Sequence, residues 1–388
     1  MIISMIFFLG ILSFFALAVI PLGYSLFLSF YLNKPWSSFE SDAPDISVIL
    51  PVHNEEKVIT EKIKNTLDLG FPGAFEIIVV DDGSTDETYK LVEKHLEDNK
   101  IKLVKKERRG GKPSAIMEGV ARAHHDLLLL TDADAYIEEE SVIKLLGSLR
   151  KDVGAVTGRV VIDNRDENFI TRAEGSLWEY ADLVCRSESN LDSIPRVFGP
   201  LAIVRKELVS IPKESLLDDM EIGINARRKG FKSGYVPEAR VHIKAPGSLM
   251  DEAQLRSRYF KGYLQLINRY KGLLFNPHFG FFGMLILPRH LLFEALSPLL
   301  LAFGTASFII LSIIEGGDFL IYLALGYLMI LASVVLTGFI LFIREKPLKE
   351  SISHSLNMVF FVISLQFYRV IALFRREKPT WERLGSTR

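Results

Sequence analysis

The sequence predicts an α/β domain set between membrane-spanning helices. Its residues are 49% hydrophobic and 24% charged, a balance too apolar for an ordinary soluble protein and too charged for a membrane bundle alone. The apolar residues gather at the two ends, and no charged residue occurs from Met1 to Leu32. Between these ends, short strand-like runs alternate with segments of helical spacing. That alternation is typical of a mostly parallel sheet flanked by helices.

We predict five segments along the chain. The uncharged N-terminus exceeds the ~20 apolar residues that cross a hydrocarbon core, so 1–33 is predicted to be a transmembrane helix. An α/β domain at 40–248 follows, and 249–290 is predicted to form amphipathic helices at the membrane interface. Apolar stretches within 291–374 indicate two or three C-terminal spans, and 375–388 is a basic tail.

The distribution of basic residues predicts the orientation in the membrane. Lys34 follows the first span and favours a cytoplasmic position for the domain behind it. Arg344, Lys346 and Lys349 place the loop before the last segment on the same side. A third C-terminal span would then put the tail outside, although the basic residues of the tail favour the cytoplasm. Two and three C-terminal spans therefore both stay open. We expect an integral protein of the cell membrane with a cytoplasmic catalytic domain.

Charge and cysteine usage exclude some classes of partner. The formal net charge is −1, so no strong field favours a nucleic-acid partner, and membrane lipid is the expected surrounding. Cys185 is the single cysteine, which rules out an intrachain disulfide and agrees with a reducing compartment. Composition predicts no oligomeric state.

An apolar run, Leu127 to Leu130, ends in two carboxylates one residue apart, Asp132 and Asp134. Carboxylates this close repel each other, and a divalent cation relieves the repulsion. Mg²⁺ or Mn²⁺ takes one or two carboxylates together with phosphate oxygens of a substrate. A lone Asp-x-Asp also occurs in solvated acidic turns, so this motif alone leaves both interpretations open.

Two further strand ends carry polar residues. Asp81 and Asp82 follow the run EIIVV, and the stretch PVHNEE supplies Asn54 and Glu55 after another apolar run. Because ligands bind at the carboxyl edge of open α/β sheets, Asp82, Asn54 and Glu55 are candidate ribose or base contacts. Capping of the following helices is the structural alternative.

A glycine-rich basic loop follows the strand predicted at Ile101 to Val104. Gly110 and Gly111 permit close approach of an anion, and Lys112 suits a phosphate; a basic surface loop is the alternative. The spacing G-x-x-x-x-G-K-[ST] is absent, and so is G-x-G-x-x-G, which argues against a P-loop and against dinucleotide redox chemistry.

The later motifs suggest a base and an acceptor site. Asp218 and Asp219 begin a predicted helix, where a carboxylate could take a proton from an acceptor hydroxyl. The stretch LRSRYFKG brings Arg256 and Arg258 together, which fits a leaving diphosphate and equally an anionic lipid surface. Trp178 could stack on an acceptor sugar or pack within its helix.

Taken in order, these motifs resemble glycosyltransferase family 2, especially its membrane-embedded cellulose, chitin and hyaluronan synthase-like branch. The resemblance runs from about Ile46 to Gly262. It is carried by SVILPVHNEE, EIIVVDDGSTDET, GGKPSAIMEG, LLLLTDADAY, VFGPLAIVRKEL, LLDDMEIGINARRKGF and LRSRYFKG. It implies a GT-A-type nucleotide-sugar-binding domain and Mg²⁺ or Mn²⁺ as cofactor.

The resemblance also implies residue roles. Asp219 is the expected catalytic base, Asp134 the metal ligand and Asp132 its neighbour at the metal and nucleotide. The remaining nucleotide-sugar contacts are expected to be Pro51, His53, Glu55, Asp82, Lys112 and Arg258. The expected acceptor contacts are Gly199, Asp218, Tyr259 and, from its aromatic character, Trp178.

The chain departs from the family pattern at three positions. Leu217-Asp218-Asp219 replaces Thr-Glu-Asp, which keeps the base and shortens the neighbouring side chain. In the Gln-x-x-Arg-Trp element, Leu255 replaces Gln and Tyr259 replaces Trp. In the branch this element accompanies chain extension, so its change weakens the case for a processive polymerase.

We therefore expect an inverting, metal-dependent membrane glycosyltransferase. Its donor is a nucleotide-diphosphate sugar, with a UDP-sugar as the first expectation, and its acceptor is lipid-linked or a growing glycan. One alternative is a processive polysaccharide synthase that also translocates its polymer. An alternative of another class is an inactive regulator that binds nucleotide sugar, which the intact acidic residues disfavour.

Overall fold

The computed structural model describes residues 1–32, 44–359 and 362. The predicted tail at 375–388, the charge at Lys34 and most of the possible last span lie outside these described residues.

One sheet organises the central domain. Its strands run in the order β3-β2-β1-β4-β7-β6-β8-β5. The strands are β1 (Ile46–Val52), β2 (Phe75–Asp81), β3 (Ile101–Lys105), β4 (Leu127–Leu130), β5 (Tyr136–Ile137), β6 (Val153–Ile162), β7 (Ala202–Arg205) and β8 (Lys232–Ile243). The pairs β1–β2, β2–β3, β1–β4 and β6–β8 are parallel, whereas β7 and β5 run antiparallel to their neighbours. The predicted α/β fold is confirmed, and β7 makes the sheet mixed.

Helices cover the sheet and extend beyond it at both ends of the chain. They are α1 (Ile2–Leu28), α2 (Ile59–Leu67), α3 (Thr88–Glu93), α4 (Lys112–Arg122), α5 (Ser141–Leu146), α6 (Phe169–Leu191), α7 (Asp218–Arg228), α8 (Leu249–Tyr270), α9 (Glu294–Glu315) and α10 (Phe319–Phe342). Helix α3 begins only at Thr88, because Ser84 and Asp86 before it bond to loop and cap backbone instead.

The register of the parallel strands brings three loops to one edge of the sheet. Leu50 pairs with Val79, and Ile49 pairs with Leu130, so β1, β2 and β4 run to the same edge of the sheet, with β4 ending before the other two. All four of these side chains are at most 3% exposed, as expected for strands covered on both faces. At Gly119 of α4, a Cβ would stand 2.7 Å from Ile49 Cγ2, so glycine lets this helix pack closely on β1.

Three described helical segments are long and apolar enough to cross a membrane: Ile2–Leu28, Phe282–Glu315 and Phe319–Phe342. The second begins before the expected span at 291, because π-helical turns at Phe282–Ile286 and Arg289–Phe293 lead directly into α9. Arg289 pairs with Glu294 at 2.8 Å, which lowers the cost of carrying both charges there. A further helix at 348–359 follows a short turn after α10.

Helix α1 packs on α9 and α10 through small residues. A Cβ at Gly326 would stand 2.7 Å from Phe14 Cγ, and one at Gly304 would stand 3.0 Å from Phe14 Cε2. Phe14 is 1% exposed in this contact. Close helix approach through glycine is typical of packing between membrane helices.

Helix α6 joins the central domain to these helices. A capping box starts it: Asn168 Oδ1 accepts from Thr171 N, and Thr171 Oγ1 accepts from Asn168 N. Further along, Tyr24 of α1 donates to Glu188 at 2.5 Å, and Ser176 lies 3.2 Å from His354 Nδ1. Side chains of α6 therefore bond to the first helix and to the helix at 348–359.

Candidate functional site

A cleft of about 320 Å³ opens at the carboxyl edge of the sheet. All of the residues to which the family resemblance or aromatic character assigned a role line it, whereas Asn54 and Arg256 do not. The residues with an assigned role are Pro51, His53, Glu55, Asp82, Lys112, Asp132, Asp134, Trp178, Gly199, Asp218, Asp219, Arg258 and Tyr259. Residues as far apart in sequence as Pro51 and Tyr259 thus meet in one cavity, while their individual roles stay predictions.

Asp82 is held by the chain itself. Its Oδ1 accepts from Gly110 N at 2.9 Å, and its Oδ2 accepts from Gly111 N at 2.7 Å. Lys106 Nζ also donates to this carboxylate. The amides that the sequence suggested for an external anion therefore bind Asp82. In this way the end of β2 is tied to the loop before α4.

The loops after β1 and β2 are bonded to each other. Asn54 has a backbone φ of 57°. Its side-chain Oδ1 accepts from Thr85 N at 2.8 Å, and its backbone N–H donates to Ser84 Oγ at 3.0 Å. Asparagine tolerates this left-handed backbone better than most residues. Its side-chain oxygen is thus used inside the protein, which differs from the expected ribose or base contact. His53 Nδ1 lies 3.1 Å from the carbonyl oxygen of Asp82 and faces the cleft.

Asp132 and Asp134 stand in different surroundings. Asp132 Oδ1 pairs with Lys112 Nζ at 2.5 Å, while Asp134 is exposed at the cleft. Burial alone would lower the pKa of Lys112, but Asp132 and Asp218 outweigh it and raise the pKa. A Cβ at Gly199 would stand 3.2 Å from Lys112 Nζ, so this glycine leaves room for the ammonium group.

Lys62 bonds to both sides of the Asp-x-Asp turn, a role that no sequence pattern indicated. Its Nζ donates to Thr131 Oγ1 at 2.7 Å and to Ala135 O at 2.6 Å, on either side of the turn. The side chain is 3% exposed. Burial lowers the pKa of Lys62 to about 7, although Asp132 and Asp134 act in the opposite direction.

The acidic pair at the start of α7 divides into a buried and a partly exposed carboxylate. Asp218 is 4% exposed, and burial raises its pKa to about 6 even though Lys112 opposes the shift. Asp219 Oδ2 pairs with Arg196 Nε at 3.3 Å and keeps a side-chain exposure of 21%. Asp219 therefore faces the cleft as the more accessible carboxylate of the two.

Helix α8 closes the cleft with arginines. Arg256 donates to Glu174 of α6 at 2.7 Å and to Glu252 at 2.8 Å, and all three side chains are nearly buried. Burial raises the pKa of Glu174 to about 8; Arg256 opposes this shift, and the nearby Glu252 adds to it. Arg256 thus belongs to the packing of α8 on α6, and it is Arg258 that lines the cleft.

Three cations surround the ring of Tyr259. The guanidinium carbons of Arg196, Arg256 and Arg258 lie 5.1, 5.5 and 5.5 Å from its centroid. Separations of this size permit cation–π attraction. The ring of Tyr259 therefore contacts three arginines, and it also lines the cleft.

Sequence reasoning missed several lining residues. Arg109, Glu174 and Arg196 all face the cleft. Arg109 stands directly before the two glycines of the basic loop, and Glu174 lies one helical turn before Trp178, so position offered a signal for both. Arg196 gave none, because only the tertiary fold brings it to Asp219.

The donor set fits a cation that is also bound by substrate. Among the described residues, no group of three or more His, Cys, Asp or Glu side chains could hold a metal ion by itself. Mg²⁺ and Mn²⁺ sites commonly use one or two carboxylates with phosphate oxygens of a substrate. Asp134, exposed in the cleft, and Asp132 beside it meet that requirement.

Comparison with known proteins gives consistent relatives. Residues 47–210 match the model of Glycosyl transferase family 2. An N-acetylglucosaminyltransferase of Azorhizobium caulinodans is 31% identical over 238 residues, which cover 55% of this chain and 59% of that protein. A poly-beta-1,6-N-acetyl-D-glucosamine synthase of Staphylococcus aureus is 25% identical and is matched over 60% of its length. The chain thus spans less than two thirds of these curated relatives.

A solved structure shares the fold over nearly the whole chain. It is a mannosyltransferase from Pyrobaculum calidifontis in complex with GDP-Man and Mn²⁺, with a TM-score of 0.68 and 22% identity. The superposition covers 95% of this chain and 100% of that one. At this identity the likeness shows the GT-A fold alone. Together with the family match, it leads to one conclusion: residues 47–210 match glycosyltransferase family 2 and lie in a domain of the GT-A fold.

Proposed function

We propose that this chain is an inverting, metal-dependent membrane glycosyltransferase that moves a sugar from a nucleotide-diphosphate sugar to an acceptor hydroxyl. The observation that supports this function most directly is one shared cleft for Asp132, Asp134 and Asp219. A donor held by the first two residues stands in the same cavity as a carboxylate able to accept the acceptor's proton. Holding both reactants together contributes up to ~7–11 kcal/mol in favourable cases.

The donor side binds the nucleotide and the diphosphate. Pro51, His53 and Glu55 line the cleft at the end of β1, where a nucleoside fits the carboxyl edge of the sheet. Lys112 and Arg258 supply positive charge to the departing diphosphate. Asp134, with Asp132, would hold Mg²⁺ or Mn²⁺. When bound, such a cation stabilises negative charge on the leaving group.

Asp219 is the proposed base. Its partner Arg196 holds one carboxylate oxygen at 3.3 Å from Nε. In the reaction, the acceptor oxygen attacks the anomeric carbon while its proton passes to Asp219. The bond from that carbon to the diphosphate oxygen breaks on the opposite face, so one displacement inverts the configuration.

The acceptor is proposed to be lipid-linked or a growing glycan, reached from the cytoplasmic face of the cell membrane. Three candidate spans support a membrane location, and the basic residues around Arg344 support the orientation. Gly199, Trp178 and Asp218 line the part of the cleft assigned to the acceptor. Tyr259 holds the arginines that close it.

Processive synthesis is the second candidate, and a specific comparison favours it. One relative is named as a polymer synthase, poly-beta-1,6-N-acetyl-D-glucosamine synthase. Leu255 and Tyr259, in place of Gln and Trp, favour single or limited transfer instead. The names of both relatives make UDP-N-acetylglucosamine the first donor to test, and the solved neighbour adds GDP-mannose.

A donor screen tests the proposal. Membranes containing the full chain are incubated with radiolabelled UDP-N-acetylglucosamine, UDP-glucose or GDP-mannose, with Mn²⁺, with Mg²⁺ or with excess chelator. We expect transfer from one donor, loss of transfer in chelator and recovery when either cation is restored. Full activity in chelator contradicts the metal role of Asp134. Sizing the product separates the two candidates, because a ladder or a polymer supports the processive one.

A further inference from the structure

A second cavity adjoins the cleft. It has a volume of about 200 Å³ and lies between β6, the segment after it and α6. Ile162 and Trp178 line both cavities, so the two spaces meet at these side chains. Pockets for drug-sized ligands span about 300–1,000 Å³, so this space suits a small chemical group rather than a whole sugar nucleotide.

Positive charge predominates in this second cavity. Three arginines line it, Arg159, Arg165 and Arg240, against one carboxylate, Glu179. Arg159 lies 2.9 Å and Arg165 lies 3.7 Å from Glu179, and Lys346 adds a third cation at 3.1 Å. Burial would raise the pKa of Glu179, but Arg159 and Lys346 outweigh it and lower the pKa.

A neighbouring carboxylate does not cancel this excess. Asp182 lies 4.0 Å from Arg159 Nε, but it also pairs with Arg186 at 2.7 Å and accepts from Tyr235 at 2.8 Å. Counting Arg159, Arg165, Arg240 and Lys346 against Glu179, the cavity retains several positive charges. Arginine clusters of this kind recognise phosphate through charge-assisted hydrogen bonds.

The helix leaves space for one of these arginines. A Cβ at Gly175 would stand 3.2 Å from Arg165 Cβ and 3.6 Å from Arg165 Nε. Glycine is unfavourable in the interior of a helix, yet it lies within α6 at the wall of this cavity. The absence of a side chain lets Arg165 rest against the helix.

The cavity also lies near the membrane-spanning helices. Lys346, which contacts Glu179, comes four residues after Phe342 at the end of α10. Arg186 of the same helix α6 pairs with Glu345 at 3.3 Å. An anion carried at the membrane surface therefore has a short route to this cavity.

We infer that the cavity lined by Arg159, Arg165 and Arg240 is a subsite for the phosphate of a phosphorylated acceptor. This inference rests on the proposed transferase function and adds the chemical class of the acceptor. With the phosphate among the arginines, the acceptor extends past Trp178 into the cleft, where its hydroxyl meets Asp219. The shared chemistry is a phosphate group, borne either by a lipid or by a water-soluble glycan.

Binding of farnesyl phosphate to the full chain in nanodiscs tests the subsite. UDP and Mn²⁺ are present at saturation, so that phosphate sites in the cleft are filled. Replacing Arg159 and Arg165 together by Gln should raise the Kd of farnesyl phosphate about tenfold or more, as expected for losing charge-assisted hydrogen bonds. Arg122→Gln is the matched control, because Arg122 is 55% exposed on α4 and pairs there with Glu118.

A second variant guards against loss of folding. Arg240 is exposed, so Arg240→Gln should keep the melting temperature and still weaken farnesyl phosphate binding, by about threefold. Tighter binding of farnesyl phosphate than of inorganic phosphate assigns the group to a lipid-linked acceptor. Equal affinity assigns it to a water-soluble phosphorylated acceptor.

Two results overturn the inference: an unchanged Kd in folded Arg240→Gln and in the double variant, or wild-type binding of farnesyl phosphate no tighter than of farnesol. Failure of the transferase proposal would be seen separately, because the wild-type chain would then not bind UDP and Mn²⁺.

Discussion

The two sides of the cleft, called the donor side and the acceptor side after the roles proposed for them, are built by different interactions. On the donor side, strand-end loops are held by backbone amides, as where Gly110 and Gly111 donate to Asp82. On the acceptor side, side chains from separate helices pair with one another, as where Arg256 of α8 meets Glu174 of α6. The first kind of contact uses groups that every residue carries. The second kind requires particular residue types at positions far apart in sequence.

This difference bears on how each side tolerates substitution. A buried ion pair carries a large desolvation cost, and removal of one partner leaves an uncompensated charge. A backbone amide cannot be removed by most substitutions. We therefore expect the acceptor side to be the more sensitive to single changes, and the following variants compare the two sides.

The largest effect is expected for Asp219→Asn. The amide keeps the shape of the side chain but cannot take the acceptor's proton, so the transfer rate should fall about 10²–10⁴-fold. Binding of nucleotide on the donor side should persist, since Asp132, Lys112 and Asp134 are unchanged. Transfer assays and UDP binding on the same preparation check both halves of the prediction. Normal turnover in this variant shows that Asp219 is not the base.

Arg256→Met should destabilise the acceptor side by about 3–5 kcal/mol, because Glu174 and Glu252 lose their buried partner. Thermal unfolding of the full chain in detergent measures the change. Arg122→Met is the control: its pair with Glu118 is exposed, and such pairs contribute about 0–1 kcal/mol. Equal melting temperatures for the two variants contradict a structural role for the buried pair.

Lys62→Met tests the donor side. Ala135 O and Thr131 Oγ1 lose a buried donor, which should cost about 1–3 kcal/mol, less than the loss of Arg256. Lys64→Met, whose side chain is 60% exposed on the same helix, should have little effect. If Lys62→Met unfolds at a lower temperature than Arg256→Met, the expected order of sensitivity is reversed.

The smallest effect on stability is expected when His242 loses its charge. This side chain links the segments after β5 and β6. Burial would lower its pKa, but Glu138 at 2.9 Å and Asp163 at 2.6 Å outweigh it and raise the pKa. The stabilisation is therefore complete below the ordinary histidine pKa and is lost as pH rises through the raised value. The melting temperature should fall over that range in the wild type and stay level in His242→Gln.

The sequence predicted that the strand-end residues lie together, and there is a physical reason for this. Runs such as Leu127 to Leu130 can only be buried strands or core helix, and the polar residues that follow must then collect at one edge of the sheet. Asp132 and Asp134 were found in this way. The use of Asn54 and Asp82 was not, because a carboxylate or amide oxygen accepts equally well from a ligand and from a nearby loop.

The acceptor side was predicted mainly through family resemblance, although the positions of Asp218 and Asp219 and the aromatic character of Trp178 suggested candidates. Arg196 and Asp219 are brought together by folding, and no local pattern relates them. Likewise, the antiparallel insertion of β7 between β4 and β6 does not follow from alternation of strands and helices. Local patterns give elements and their ends, whereas pairings across helices depend on the three-dimensional arrangement.

One consequence follows from the position of α6. The helix supplies Trp178 to the cleft, and it also holds Tyr180, Val184 and Glu188 against α1 and its neighbours. A recombinant fragment cut at the boundaries of the α/β domain would expose this second surface of α6 to solvent. That surface carries apolar side chains and the carboxylate of Glu188. Such a fragment should be prone to aggregation, and crystallographers seeking a water-soluble version need to redesign that side of α6 first.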